Sequence, residues 1–333
     1  MKQTNLSIFI PHIGCPHLCS FCDQKSISGT AKAPSAGEVR ELLERQAEHL
    51  NEIGAKAEIA FFGGSFTAIP RGYMRELLET AARGVRELGA YNGIRCSTRP
   101  DCISEEITDI LREYGVTSVE LGAQSMSDEV LTANGRGHTA ADVRRAAELI
   151  KKSGISLGLQ MMTGLYKDSA DAVLHTAREF IEIAPKTVRI YPTVILKGTR
   201  LGELFERGEY RSFGFDETVE LCARLLRMFG EHGIAVIRMG LHASAEVERD
   251  MLGGVYHPAF RELCESRIIL EDVRARLEEL PKGGYTVLTD KRNISRLVGQ
   301  RRGNIAALEK AGYKIKVGER AGAYLEIVPK TEM

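Results

Sequence analysis

Apolar residues along the chain follow two alternating rhythms. Short runs with strand character occur at Leu6–Ile10, Glu58–Phe62, Ile94–Ser97, Ser118–Leu121, Ser156–Met161 and Thr187–Tyr191, with Ile234–Met239 as a seventh. Between them lie stretches with apolar positions every three to four residues: Gly37–Leu50, Gly72–Leu88, Glu105–Tyr114, Ala140–Ser153, Asp168–Ile183 and Phe215–Gly230. That periodicity predicts amphipathic helices. Gly89, Gly115, Gly154 and Gly233 follow four of them, where a left-handed residue closes the last turn. Strands alternating with helices demand right-handed βαβ crossovers and a parallel sheet. Six or seven such units predict an α/β fold, a partial (β/α)6-type TIM barrel, whose chemistry sits at the carboxyl ends of its strands. Polar and glycine residues recur there: Gly63-Gly64-Ser65, Ser97 to Asp101, Gln124-Ser125, Thr163-Gly164 and Tyr191-Pro192-Thr193.

The C-terminal part changes pattern. A helix is predicted over Pro258–Leu280, then a break at Pro281–Gly284, strands at Tyr285–Leu288, Lys314–Val317 and Tyr324–Val328, and a helix near Asn304–Ala311. We therefore expect a barrel core over 1–245, a helical connector over 246–280 and a small α/β extension over 281–333. Lys and Arg total 45, as do Asp and Glu. This balance argues against a uniformly basic nucleic-acid coat protein. It hides an asymmetry, because Lys282–Met333 holds 11 Lys and Arg against five Asp and Glu, which leaves 34 against 40 before it. Apolar residues make up 43 % and charged residues 27 %, the composition of a folding chain rather than a disordered one. No apolar run reaches the roughly 18 residues of a membrane span, and the start lacks a secretory leader pattern. A cytoplasmic protein without membrane contact is expected.

Seven cysteines on such a chain argue against a disulfide framework. Cys15, Cys19 and Cys22 form a Cys-x3-Cys-x2-Cys run directly after the first strand. Thiolates in one loop suit zinc or an iron–sulfur cluster, and Gly14 and Pro16 suit a loop folded tightly around it. Zinc would need a fourth ligand such as His12 or His17. Three thiolates on a [4Fe-4S] cluster leave one iron free for another molecule. Neither a G-x-S-x-G elbow nor a phosphate-binding glycine fingerprint follows a strand, so serine hydrolysis, nucleotide hydrolysis and nicotinamide chemistry lack support.

With Phe21 before its last cysteine, the run resembles the signature of the radical S-adenosylmethionine (SAM) superfamily. The resemblance implies a [4Fe-4S] cluster on Cys15, Cys19 and Cys22, SAM on the fourth iron, a reducing electron donor, and cleavage of SAM to a 5′-deoxyadenosyl radical. It implies a SAM-binding shell as well. Gly63, Gly64 and Ser65 resemble the glycine-rich motif that receives the SAM ammonium group, with Ser65 in place of the usual acidic residue. Ser97 and Arg99 resemble residues along the methionyl side. Gln124 is placed for the ribose hydroxyls, Arg136 for the carboxylate, and Gln160 and Met162 for adenine. Tyr191, after the sixth strand, is placed to relay a radical or to bond the substrate.

Within the superfamily, CPHLCSFCDQKSISG (Cys15–Gly29), FFGGSFTAIP (Phe61–Pro70), STRPD (Ser97–Asp101), LGAQS (Leu121–Ser125) and RIYPTVILKGTRL (Arg189–Leu201) resemble the Elongator catalytic-subunit core. That group modifies the wobble uridine of tRNA, which implies a tRNA or other RNA base as substrate. Two features differ: the group spaces its first two cysteines more widely, and it carries an acetyltransferase domain for which the residues after 280 leave no room. Oxygen-independent coproporphyrinogen oxidases share the x3 spacing, so a small metabolite or tetrapyrrole is the alternative substrate. A zinc- and RNA-binding module without catalysis is a third reading. In the basic extension, Leu297–Ile305 (LVGQRRGNI) resembles the clamp loop of a KH domain, which makes RNA a candidate partner through Arg301 and Arg302.

Overall fold

The computed structural model describes residues 4–10, 13, 15, 19–23, 32–242 and 244–329. In chain order the elements are β1 (Thr4–Ile10), α1 (Ala36–Glu52), β2 (Ala57–Gly63), α2 (Arg71–Glu87), β3 (Tyr91–Thr98), α3 (Glu105–Glu113), β4 (Val116–Gln124), α4 (Asp128–Ala133), α5 (Ala140–Lys152), β5 (Ser156–Thr163), α6 (Ala170–Ile183) and β6 (Thr187–Pro192). There follow β7 (Val194–Leu196), α7 (Arg200–Glu206), α8 (Phe215–Glu231), β8 (Ala235–Met239), α9 (Ala245–Asp250), β9 (Met251–Gly254) and α10 (Phe260–Glu278). The chain closes with β10 (Gly283–Thr289), α11 (Ile294–Val298), α12 (Gly303–Lys310), β11 (Tyr313–Glu319) and β12 (Glu326–Pro329).

Strands β1 to β6 and then β8 pair in parallel, in chain order, as one seven-stranded sheet. This is the expected partial barrel: a curled half-barrel with helices on its outer side. The cause lies in alternate strand positions. One side of each strand is apolar and buried, as with Ile59 and Phe61, Ile94 and Cys96, Val119 and Leu121, Leu157 and Leu159, and Val188 and Ile190. That side meets helix stripes such as Met74, Leu77, Leu78 and Ala81 of α2. The alternate positions are polar or small, and they form the concave face: Glu58, Arg95, Ser97, Glu120, Gly122, Gly158, Gln160, Arg189 and Tyr191. Several helix starts are capped by side chains, with capping boxes at Ser35–Glu38 and Thr139–Asp142. The four predicted glycine stops all take left-handed backbone, with φ between 65° and 78°.

Two differences from expectation concern connections. The stretch 246–280 is not wholly helical, because β9 pairs antiparallel with β7 as a two-stranded ribbon beside the barrel. Three-residue β7 is too short to show a period. Helices α4 and α7 also escaped the pattern, being six and seven residues long.

The extension forms a three-stranded sheet of order β11-β10-β12, with β10 and β11 parallel and β12 antiparallel. Its core gathers Tyr285, Val287, Leu297, Leu308 and Tyr313 around Ile269, Leu270, Val273 and Leu277 of α10. Phe260 and Cys264, at the other end of the same helix, belong to the barrel core. Helix α10 thus serves two cores at once.

Candidate functional site

The end of β1 and the turn after β2 approach too closely for side chains. Gly63 has φ 109°, and a Cβ there would lie 2.7 Å from the Ile10 carbonyl oxygen. A Cβ on Gly64 would lie 2.7 Å from Ile13 O and 3.5 Å from Cys15 Sγ. Glycine permits that approach, and the Gly64 N–H donates to Ile10 O at 2.7 Å. The turn is therefore pressed against the cysteine loop. Farther along the loop, the Ser20 hydroxyl donates to Asn134 Oδ1 at 2.7 Å, its N–H donates to Asn134 O, and its carbonyl accepts from the Leu201 N–H at 2.8 Å. Phe21 packs with Leu201, Leu204 and Tyr210. Asn134 is fully buried and also donates to Val130 O and Tyr166 O. It joins the cysteine loop, α4 and the segment after β5.

Cys15, Cys19 and Cys22 are half-buried and unbridged. Burial raises the Cys15 thiol, against a lowering hydrogen bond from the Ser65 backbone. Burial pushes Cys22 up to about 12, and the neighbouring Cys19 and Cys15 add to it. Among the described residues no three Cys, His, Asp or Glu side chains gather closely enough to hold one metal ion. His12, His17, Gly14 and Pro16 lie outside the described residues.

Two arginines face this loop. Arg136 donates from Nη1 to Cys19 Sγ at 3.0 Å and from Nη2 to Gly122 O at 2.5 Å, and it stands over the Phe21 ring. Arg99 is held by both Asp101 oxygens, at 3.0 and 2.9 Å, and by the Arg136 carbonyl. The Ser65 hydroxyl accepts from the Arg99 N–H at 3.2 Å and bonds Thr98 Oγ1 at 2.8 Å. Gln124 ends β4 with φ 69°, an uncommon value for a side-chain-bearing residue. Its amide nitrogen lies over Gly122, 3.0 Å from where a Cβ would stand. His138 Nε2 meets Ala123 O at 3.2 Å. Burial, then the Arg136 and Arg99 charges, hold its imidazole down to about 4.

The remaining predicted residues lie on the concave face. Glu120, buried on β4, accepts from Arg95 Nη1 at 2.6 Å, Arg189 Nη2 at 2.7 Å and Gln160 Nε2 at 2.9 Å. Arg95 also pairs with Glu58 at 2.8 Å. Gln160 approaches Ser97 Oγ at 3.5 Å, and Met162 and Tyr191 are register neighbours on β5 and β6. Arg189 lies over the Phe62 ring and donates to the Tyr191 hydroxyl at 3.4 Å. Gly63, Gly64, Ser65, Arg99, Gln124 and Arg136 therefore gather at the cysteine loop, whereas Ser97, Gln160, Met162 and Tyr191 line the half-barrel beside them. Sequence reasoning missed Asn134 and the Glu58–Arg95–Glu120–Arg189 ladder. The signal for the ladder was present, as one charged residue inside each of several otherwise apolar strands.

The donor types suit a sulfur-ligated cluster and a zwitterionic cofactor. The thiols are soft ligands that bind metal as thiolates. Around the end of β4, Arg99 Nη1, Arg136 Nε, His138 Nδ1 and Gln124 Oε1 are buried without a partner among the described residues. Each unmade bond costs about 1–3 kcal/mol, and such clustering in one place calls for an explanation. A ligand that offers a carboxylate to the guanidinium groups and a hydroxyl to the glutamine relieves it.

Comparison with known proteins gives two family matches: the radical SAM superfamily over residues 9–180 and the radical SAM C-terminal domain over 185–269. Elongator complex protein 3 of Homo sapiens is 31 % identical over 262 residues, covering 69 % of this chain and 46 % of that protein. A tRNA uridine(34) acetyltransferase of Methanocaldococcus infernus is 33 % identical over 129 residues, covering 38 % of this chain and 24 % of that protein. The solved structure of an N-terminally deleted Methanocaldococcus infernus Elp3 superposes with a TM-score of 0.62 at 20 % identity, covering 83 % of this chain and 62 % of that one. That superposition shows a shared fold. The chain spans about half the length, or less, of the two curated relatives.

Proposed function

The chain belongs to the radical SAM superfamily, and from that membership we propose that it is an enzyme that reductively cleaves SAM at a cluster held by Cys15, Cys19 and Cys22 and acts on a tRNA base. Proteins of this superfamily use SAM and a [4Fe-4S] cluster, which together supply an electron and a carbon-centred radical. The chain's own residues bind, orient and exclude water. The Gly63-Gly64-Ser65 turn brings backbone polar groups to the cofactor's ammonium end. Arg136 and Arg99 receive its carboxylate, with Asp101 holding Arg99 in position. Gln124 takes the ribose hydroxyls through its unpartnered Oε1. Met162, Gln160 and Ser97 flank the adenine, and Tyr191 faces the substrate. The observation that carries this reading is Arg136, which touches Cys19 while its Nε and the neighbouring Gln124 Oε1 lack partners among the described residues.

Support for tRNA comes from what the relatives are called and from the Elongator-like segments, and an external electron donor is required. The test is anaerobic reconstitution with iron and sulfide, then dithionite and SAM, with 5′-deoxyadenosine measured. We expect product from the native chain and none from Cys15→Ala, Cys19→Ala or Cys22→Ala. A reconstituted cluster with no SAM cleavage overturns the enzyme assignment. Addition of total tRNA should raise product formation and shift the mass of one nucleoside. A rise only with small-molecule extracts moves the substrate to a metabolite or tetrapyrrole.

A further inference from the structure

The charged residues of the seven-stranded sheet do not balance. Its strands carry five: Glu58 on β2, Arg95 on β3, Glu120 on β4, Arg189 on β6 and Arg238 on β8. The first four form the ladder described above, two carboxylates against two guanidinium groups. Arg238 is the fifth, half-buried, and among the described residues no carboxylate pairs with it. A break in register puts it there. Val188 opposes Val236 but Arg189 opposes Arg238, so Ile237 is an extra residue between the two pairings. In unbroken register Ile237 would face Arg189, and Arg238 would turn to the helix side of the sheet. Ile237 instead stands 41 % exposed on the last strand. Such a bulge re-aims a side chain, and this one sets a second guanidinium group on the concave face beside Arg189.

Like charges directly opposed across two strands work against the fold. Burial and the Arg189 charge both hold the Arg238 guanidinium below its ordinary value. Its place is nevertheless fixed. Arg238 Nε donates to Gly240 O at 2.8 Å. Gly240 takes φ 80°, its N–H donates to Ile190 O at 2.9 Å, and a Cβ there would lie 3.3 Å from Phe260 Cβ. The anchored Nε leaves both terminal nitrogens of Arg238 without a partner among the described residues. Tyr191 stands two residues beyond Arg189 on the same face, about 6.6 Å by strand rise. Its hydroxyl accepts from Arg189 Nη1 at 3.4 Å, and among the described residues it finds no acceptor for its own proton. Three donors at the β6–β8 end of the sheet therefore await an acceptor.

We propose that Arg238 is a substrate-positioning residue, whose two terminal nitrogens join the Tyr191 hydroxyl in holding an oxyanion of the substrate, the phosphate attached to the target nucleoside. The planar guanidinium fork meets two oxygens of such a group at once. The carboxylate of SAM is assigned to Arg136 and Arg99 beside the cysteine loop, which follows β1 at the opposite margin of the sheet. The anion at β8 therefore belongs to the other reactant. Its identity as a phosphate rests on the tRNA-base reading above, whereas the need for an oxyanion rests on Arg238 alone.

The test is calorimetric titration of the full chain with uridine, uridine 5′-monophosphate and uridine 3′-monophosphate at constant ionic strength. One of the two nucleotides is expected to bind about ten-fold more tightly than uridine, or better. Arg238→Gln should abolish that difference, and Arg238→Lys, which keeps the charge without the fork, should retain part of it. Unliganded Arg238→Gln should melt no earlier than the native chain, because it relieves the repulsion between two guanidinium groups. An earlier melt makes Arg238 a residue of the fold and overturns the proposal. Equal affinity of the native chain for nucleotides and uridine overturns it, as does a difference that survives in Arg238→Gln. Coproporphyrin bound through Arg238, with no gain from either phosphate, replaces the phosphate by a carboxylate and overturns the nucleotide assignment. Phosphate-dependent binding by a chain that fails to cleave SAM would sink the enzyme reading and spare this one, and SAM cleavage without phosphate dependence would do the reverse.

Discussion

His138 illustrates how one side chain reports on its surroundings. Burial, then the charges of Arg136 and Arg99, hold its imidazole down to about 4. Unfolded, it titrates near its ordinary value of about 6.5. Between those values the unfolded chain binds the extra proton, so stability rises with pH across the window. The contribution is fully present above about 6.5 and is lost as pH falls through 4, a change on the order of 3 kcal/mol. Urea denaturation of the metal-free protein at several pH values should show that slope, and His138→Gln should flatten it. A slope that persists in the variant places the proton elsewhere. At this scale the sequence was informative about residue types at strand ends, including Gln124. It was silent on Asn134, whose role depends on Ser20, 114 positions away.

At the scale of elements, the concave face of the half-barrel is held by charge. Glu120 is 1 % exposed and serves two arginines and a glutamine from three other strands. Its removal leaves Arg189 without a carboxylate and Arg95 with Glu58 alone. Glu120→Ala is expected to destabilise by about 3–5 kcal/mol, measured as a lower urea midpoint at unchanged m-value. A change below 1 kcal/mol would mean that water has entered and solvated both arginines. The strands themselves were legible because a period of two shows in four or five residues, and the helices because nine to 17 residues carry several turns. The β7–β9 ribbon was not legible, since Val194–Leu196 and Met251–Gly254 are too short for any period and find each other only across the intervening helices.

For the whole molecule, α10 decides how the parts depend on one another. Its Ile269, Leu270, Val273 and Leu277 are covered by the extension, and burial of such side chains stabilises by about 1.5–3 kcal/mol each. A chain cut after Leu280 should bind a hydrophobic dye, aggregate on concentration and melt earlier than the full chain. An unchanged melting curve would show the extension to be an independent unit. Local pattern alone determined the strand–helix alternation, the glycine stops, the cysteine run and the placing of polar residues after strands, because each of these depends on neighbours within a turn or a pleat. The partners of Glu120, the Asn134 bridge and the unsatisfied groups around Gln124 were decided by tertiary structure. These depend on strand register and helix docking, which packing sets between residues tens to hundreds of positions apart and which no short stretch of sequence encodes.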